Sequence, residues 1–175
     1  MENNITISID NFDDIFSDFD SREFTQRDVS DDFLNELKKK TIDIEFPLTE
    51  IRLELPVNEK KTEQEIIITK RLHQFFKIQL AKHERYLSKV QIRGFTFLIL
   101  GMALLFLAGY SNSLIERNWM KNAVMVITEP GGWYFAWNGL EKLFSKTEKQ
   151  IPDLEFYKKI NRAKIFFIAQ KTNNS

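Results

Sequence analysis

Cysteine is absent from this chain of 175 residues, and histidine occurs only twice. The absence of cysteine excludes disulfide frameworks, thiolate metal sites and cysteine nucleophiles. His73 and His83 are ten residues apart, which is about 15 Å along a helix, too far to share one metal ion. The sequence also lacks a phosphate-binding glycine loop, a nucleophile elbow, a zinc-protease motif and a dinucleotide fingerprint. We therefore expect no catalytic residue, no cofactor and no metal, and a protein that is not an enzyme.

An overall charge of one sign is also missing, because 25 basic residues balance 25 acidic ones. No global positive field therefore points to a nucleic-acid partner. Along the chain, however, the charges are unevenly placed. Residues 1–37 carry eleven acidic and two basic side chains, whereas residues 60–93 carry nine basic and three acidic ones. This acidic head and basic stem either attract each other, or the stem faces anionic lipid headgroups.

One long stretch, from Gly94 to Ile115, contains no charged side chain. It is rich in Leu, Phe and Ile, and its 22 residues are enough to cross a hydrocarbon layer of about 30 Å as a helix. A buried helix of a soluble protein is the alternative. The stretch begins too late in the chain for a cleaved signal peptide. We therefore predict a retained transmembrane helix that begins near residue 93.

A second apolar stretch covers residues 122–140 and has one acidic residue, Glu129, near its middle. Pro130, Gly131 and Gly132 follow and interrupt helix formation. We predict a kinked second span, with a re-entrant or surface-lying segment as the alternative. Several aromatic residues in and beside this stretch are typical of a membrane interface. They are Trp119, Trp133, Tyr134 and Trp137.

Basic residues flank the two apolar stretches on their outer sides, and only Arg117 and Lys121 lie between them. By the positive-inside rule, both termini are expected in the cytoplasm, which makes the chain a multi-pass protein of the inner (plasma) membrane. The bases before the first stretch are also candidates for contact with lipid headgroups. These candidates are Lys82, Arg85, Lys89 and Arg93. The bases that follow the second stretch are Lys142, Lys146 and Lys149.

Three segments outside the apolar stretches have the composition of strands, and they are residues 5–9, 50–56 and 164–169. The first two alternate apolar and polar residues with the period of a half-buried strand. The second segment belongs to the stretch 42–57, which Pro47 and Pro56 punctuate, and this stretch predicts one strand or two short ones at a sheet edge. Because an isolated strand is unstable, we expect the three segments to pair.

The predicted fold is an α+β membrane protein in which a transmembrane helical hairpin carries a long cytoplasmic stem helix and a small cytoplasmic cap of about three strands and short helices. Ser30 is suited to cap the first of the short helices. The predicted domains are an acidic α+β cap (1–61), a basic amphipathic stem helix (62–92), a two-helix transmembrane hairpin (93–141) and a C-terminal helix and strand that complete the cap (142–175).

Glu129, Pro130, Gly131 and Gly132 are the candidate functional residues within the membrane. A carboxylate inside a bilayer usually faces a protein interior or a water-filled path. Glu129 lies in a conduction path for cations or protons in an oligomer, or acts as a conformational trigger, or satisfies backbone groups that Pro130 frees. The sequence leaves all three interpretations open.

The acidic segment 10–20 has clustered aspartates but lacks the central glycine and terminal glutamate of a calcium loop. A solvated acidic face, or a docking patch for a basic partner, is therefore the preferred interpretation. The charged residues around its end are predicted to form a salt-bridge network that fixes the cap. They are Asp20, Arg22, Arg27, Asp28 and Asp31.

Residues 14–37 resemble the opening of a family of small uncharacterised prokaryotic proteins with two transmembrane helices. In that family an acidic D-x-x-P/E-F segment precedes R-D-[LV]-[SD]-x-[DE]-[FA], and this chain has DSREF followed by RDVSDDF. The Gly-Trp-x-x-x-Trp motif near the end of the second span is also similar, here Gly132-Trp133…Trp137. The chain departs from these relatives at Asn138-Gly139, where they often have Arg-Pro. The resemblance implies the membrane architecture and no particular chemistry.

The function predicted from these patterns is that of a non-enzymatic integral membrane protein, a scaffold or interaction module that faces the cytoplasm and assembles with itself. Its expected partners are the lipid bilayer and either further copies of the chain or another membrane or cytoplasmic protein. The alternative is an oligomeric ion or proton channel, or a membrane effector, with Glu129 in the conduction path.

Overall fold

The computed structural model describes residues 4–42, 44, 47–114 and 117–170, with only the backbone at 111–114. The chain is mostly helical, with a small parallel sheet and one long apolar helix. It divides into two compact units. The sheet unit comprises Met1–Lys82 and Asp153–Ser175, and the helical unit comprises His83–Pro152.

The secondary structure follows the predicted order of elements. The strands are β1 (Asn4–Ser8), β2 (Glu50–Leu55) and β3 (Lys164–Ala169). The helices are α1 (Asp31–Ile42), α2 (Thr62–Leu114), α3 (Asn118–Glu141) and α4 (Ile151–Arg162). Two 3-10 turns cover Phe12–Ile15 and Val57–Glu59, and a π-helical turn covers Lys142–Lys146 at the end of α3.

The three strands pair as predicted, in the order β1-β2-β3, and both pairings are parallel. In register, Ile51 of β2 lies beside Ile5 of β1 and Ile165 of β3. The prediction that the second segment lies at a sheet edge is wrong, because β2 is the central strand. Pro47 and Pro56 lie outside Glu50–Leu55, so neither removes a donor from the ladder and the central position is free of strain.

The core of the sheet unit forms on one face of the sheet. In β2 the apolar residues Ile51, Leu53 and Leu55 are buried and alternate with partly exposed charged residues, which is the period-two pattern seen in the sequence. The core also takes in large side chains from the 3-10 turn and from three helices. They are Phe12, Ile15, Phe16, Phe33, Leu37, Ile68, Leu72, Phe76, Phe156, Tyr157 and Ile160.

Local signals place the first helix as the sequence predicts. The Ser30 hydroxyl accepts a hydrogen bond from the Asp32 backbone N–H at 3.2 Å, which satisfies one of the unpaired donors of the first turn. Asp31 and Asp32 lie in that turn and Lys39 and Lys40 lie in the last one. These charges complement the helix dipole at both ends.

Candidate functional site

The helical unit has an inside-out distribution of side chains. Within its described residues, every buried position is a glycine or an alanine: Gly94, Gly101, Ala108, Gly132, Ala136 and Gly139. Many large apolar side chains are exposed, and Phe106, Val126 and Ile127 are each more than 70 % exposed. Soluble domains bury such residues preferentially, so this unit follows a different rule from the sheet unit.

The small residues let α2 and α3 approach until their backbones touch. A Cβ added to Gly101 would lie 2.4 Å from the Ala136 backbone nitrogen and 2.7 Å from the Gly132 carbonyl oxygen. A Cβ added to Gly139 would lie 2.6 Å from the Leu98 backbone nitrogen. Because later residues of α2 contact earlier residues of α3, the two helices are antiparallel. Such small-residue contacts are typical of helix pairs in membranes.

The candidate residues Glu129, Pro130, Gly131 and Gly132 all lie inside α3, which continues as a helix through the proline. Gly132 is buried against α2, and Gly131 has the Leu104 side chain 3.8 Å from where its Cβ would be. Glu129 and Pro130 are exposed on the outer surface of the unit. The structure therefore separates the four residues into a packing pair and an outward-facing pair.

The interface aromatics are all exposed and lie towards the two ends of α3. Trp119 stands in the first turn, and Trp133, Tyr134 and Trp137 lie in the second half. Trp119 and Trp137 are 18 residues apart, a distance of about 27 Å along a helix. This spacing is close to the thickness of a bilayer's hydrocarbon layer, about 30 Å.

The candidate headgroup bases are exposed on α2, with Lys82 in the sheet unit and Arg85, Lys89 and Arg93 in the helical unit. Their spacing of three or four residues places them on one side of the helix. By length and composition, one helix among the described residues could cross a membrane, and it is the Thr62–Tyr110 part of α2.

The end of α3 that bears Lys142 has a feature that the sequence did not indicate. The backbone becomes π-helical over Lys142–Lys146, a rare geometry that often accompanies function. The Lys142 ammonium lies 4.4 Å from the centre of the Phe97 ring and donates to the Asn138 carbonyl oxygen at 3.4 Å. Beside the turn is a groove of about 390 Å³. It is lined by Trp137, Leu140, Glu141, Phe144 and Ser145.

The predicted salt-bridge network forms in part in the sheet unit. Arg22 pairs with Asp20 at 2.7 Å and with Asp28 at 3.2 Å, and Arg27 pairs with Asp13. Hydrogen bonds from the Arg22 guanidinium hold the pKa of the Asp20 carboxyl well below its usual range. Backbone N–H donors add to this effect, against the opposing effect of burial. Among the described residues, Asp31 forms no ion pair in this network.

Sequence reasoning missed Arg71, which joins the acidic head to α2 within the sheet unit. Its guanidinium donates to the Arg27 carbonyl oxygen at 3.1 and 3.0 Å and lies 3.8 Å from an Asp28 oxygen. The side chain is only 13 % exposed. The excess of acidic over basic residues in 1–37 indicated that a base of the stem would contact this segment. Nothing in the sequence indicated that Arg71 would be that base.

A shallow cleft of about 420 Å³ lies beside this network. Its lining residues are Arg22, Glu23, Phe24, Thr25, Arg27, Gln64 and Ile67. Both arginines are held by aspartates, so their charge is compensated within the protein. Within the described part of the chain, no three His, Asp or Glu side chains come together as they would around a metal ion.

Comparison with known proteins found no matching protein-family model, no matching curated protein and no matching solved structure. The resemblance of residues 14–37 to small prokaryotic membrane proteins therefore stays a prediction.

Proposed function

We propose that the chain is an integral membrane protein whose α2 and α3 both cross the bilayer, and that it carries the sheet unit as an interaction module and assembles with copies of itself. The observation that carries this proposal is the inside-out helical unit. Many of its large apolar side chains are exposed, while its fully buried positions are all glycine or alanine within the described residues.

Water is a poor solvent for this arrangement. Apolar surface left in water costs about 25 cal/mol per Å², and the outward residues of α2 and α3 leave much of their apolar area uncovered. In hydrocarbon this cost vanishes, because lipid chains are as apolar as the side chains. Helix association then depends on close van der Waals packing between small residues, which is what Gly101 and Ala136 provide.

The second span is supported by the length and the ends of α3. The distance of about 27 Å between Trp119 and Trp137 matches the hydrocarbon layer, and tryptophans favour its two interfaces. Arg117 and Lys121 are the bases at one end of α3, and three lysines follow its other end. The excess of bases at that second end favours a cytoplasmic location for both termini.

Self-assembly is supported by the position of Glu129. This residue is exposed on the outer surface of the helix pair, ten residues after Trp119 and eight before Trp137. A carboxyl group near the bilayer midplane needs a polar partner, because hydrocarbon offers none. Contact with a second copy of the chain would cover this carboxyl group and remove it from the hydrocarbon.

Single cysteines test the topology directly, because the natural chain has none. We expect a membrane-impermeant maleimide to label Asn118→Cys from outside intact cells. Ser88→Cys and Ser145→Cys are expected to react only after the membrane is permeabilised. All three positions are exposed, so the comparison is matched. Purification of the chain as a water-soluble monomer without detergent, or equal labelling of the three cysteines in intact cells, would contradict the proposal.

A channel is the second candidate function, and the exposed midplane position of Glu129 favours it. In an oligomer this carboxyl group would line the contact between copies and could carry cations or protons. If the chain is a channel, liposomes that contain the pure protein are expected to show a flux of ions or protons that Glu129→Gln abolishes. An intact oligomer with no flux in any ionic condition would exclude the channel and leave the scaffold.

A further inference from the structure

One end of the helical unit combines clustered bases with an apolar groove. We propose that this end is a binding site for an anionic phospholipid, with the phosphate held by basic residues of both helices and an acyl chain in the groove beside the π-helical turn. The site deepens the proposed function and rests on it, because it requires that this end of the helix pair lies at a bilayer surface.

The register of the two helices places bases of α2 opposite bases of α3 along about 12 Å of the helix axis. A Cβ on Gly94 would lie 2.8 Å from the Leu143 side chain and 3.2 Å from the Gly139 carbonyl oxygen. Since the helices are antiparallel, residues before Gly94 lie beside residues after Leu143. Arg93 is therefore level with the start of the π-helical turn. The bases that this register groups together are Arg85, Lys89, Arg93, Lys142, Lys146 and Lys149.

The charge of this group is not compensated within the unit. Within the described residues, none of the six bases forms an ion pair, and five of them are exposed. The acids on the same two stretches are only three: Glu84, Glu141 and Glu148. Like charges on neighbouring turns and facing helices repel one another, and an anion bound among them reduces that repulsion.

The groove supplies the apolar half of the site. Trp137 and Phe144 are each 70 % exposed, and Leu140 lies between them in the lining. The groove of about 390 Å³ has an apolar lining apart from Glu141 and Ser145, which suits an acyl chain. Lys142 is the half-buried base of the group, fixed over the Phe97 ring.

An anionic phospholipid fits these features better than a soluble anion or an acidic protein. Basic pockets between membrane helices on the cytoplasmic side bind anionic headgroups, and tryptophan prefers the headgroup level. A soluble anion would make no use of the apolar groove. An acidic protein would cover the bases but leave Trp137 and Phe144 without an apolar partner.

The test uses the fluorescence of Trp137 as a local reporter in the full-length chain. Trp119→Phe and Trp133→Phe leave Trp137 as the single tryptophan. The protein is reconstituted into phosphatidylcholine vesicles that contain a minor fraction of brominated phosphatidylglycerol or the same fraction of brominated phosphatidylcholine. Contact with bromine quenches tryptophan. We expect the anionic lipid to occupy the site at least about fivefold more strongly than the neutral one, the factor that one base at a headgroup supplies.

Charge variants identify the residues responsible. Arg93→Gln, Lys142→Gln and Lys146→Gln together remove three of the six bases and are expected to lower the preference severalfold. Arg117→Gln with Lys121→Gln changes the bases at the other end of α3 and is expected to leave the preference intact. Lys142→Arg with Lys146→Arg keeps the charge, so it is expected to retain the preference and to separate a charge effect from a folding defect.

Each outcome bears on one proposal. Equal quenching by both brominated lipids would refute the site and leave the membrane location standing, since Trp137 would still contact lipid. Absence of quenching by either lipid would contradict the membrane location itself. Inorganic phosphate at constant ionic strength is expected to have no effect, and its removal of the preference would show that the ligand is a soluble phosphate.

Discussion

Replacing Gly101 by alanine is expected to force α2 and α3 apart. The added Cβ would lie 2.4 Å from the Ala136 backbone nitrogen and 2.7 Å from the Gly132 carbonyl oxygen. Both are backbone atoms, so no change of rotamer relieves the overlap. Ordinary contact at a Cβ begins at 3.4 Å, and the helices therefore have to separate by about 1 Å, which forfeits roughly a quarter to a half of the dispersion energy at the contact.

Two opposing effects set the size of the change in the free energy of unfolding. Overpacking of this kind costs about 1–3 kcal/mol, whereas alanine improves helix propensity over glycine by about 1 kcal/mol. The net expectation is a destabilisation of about 0–2 kcal/mol relative to the natural chain, and of about 1–3 kcal/mol relative to a Gly→Ala change without overlap. Titration of the detergent-solubilised protein with sodium dodecyl sulfate, followed by far-ultraviolet circular dichroism and tryptophan fluorescence, measures it.

The same helix offers a matched control at Gly109. A Cβ there meets no atom within 4 Å, so Gly109→Ala gains helix propensity without overlap and is expected to be neutral or stabilising. Gly132→Ala is expected to fall between the two, because its nearest atom, 2.7 Å away, belongs to the flexible Leu105 side chain. If Gly101→Ala is as stable as Gly109→Ala, the close backbone contact does not hold the pair together and the reasoning fails.

Three further predictions concern the sheet unit. Leu53→Ala removes a fully buried side chain of the central strand and is expected to cost about 2–5 kcal/mol in chemical denaturation. Arg71→Met removes the donors to the Arg27 carbonyl oxygen and is expected to cost about 1–3 kcal/mol, whereas no change would show that the contact is dispensable. Because Arg22 lowers the pKa of Asp20 below its ordinary 3.8, the Asp20 carboxylate stabilises the fold fully above about pH 4 and loses that effect as the pH falls through the folded pKa. The stability difference between the natural chain and Asp20→Asn is therefore expected to be constant from neutral pH to about pH 4 and to shrink below it, and a difference that grows on acidification would contradict the assignment.

The sequence predicted the strands and helices well because their signals are local. Alternation in 50–56 reports directly on burial of one face, and Ser30 marks a helix start through its own hydrogen bond. The central position of β2 is a tertiary property, set by which strands find each other. Pro56 suggested an edge because the strand was predicted one residue too long at its C-terminal end, whereas Pro47 lies three residues before the strand begins.

The contact between the helices was harder to foresee. Gly131 and Gly132 were singled out for their proline neighbour, whereas the structure shows Gly101 and Gly139 in closer backbone contact. Their signal was present as a spacing of seven residues, from Gly94 to Gly101 and from Gly132 to Gly139. Because the residues on all sides of an apolar helix are hydrophobic, this spacing does not show by itself which face contacts another helix. It identifies that face only once the partner helix is known.

The sheet unit has large apolar residues at its buried positions, whereas the helical unit has glycine and alanine there. This contrast suggests a test of whether water or lipid surrounds α3. Ile66 of the sheet unit is 65 % exposed and Val126 of the helical unit is 72 % exposed. If water surrounds both, lysine is nearly neutral at either position. If lipid surrounds α3, Val126→Lys places a charge seven residues beyond Trp119, towards the middle of the span, and costs about 2.5–3.5 kcal/mol of insertion free energy. We therefore expect Val126→Lys to reduce the yield in the membrane fraction severalfold, with Ile66→Lys unchanged, since membrane insertion of α3 is the only step on which the two substitutions differ. Equal yields of the two variants would place α3 in water.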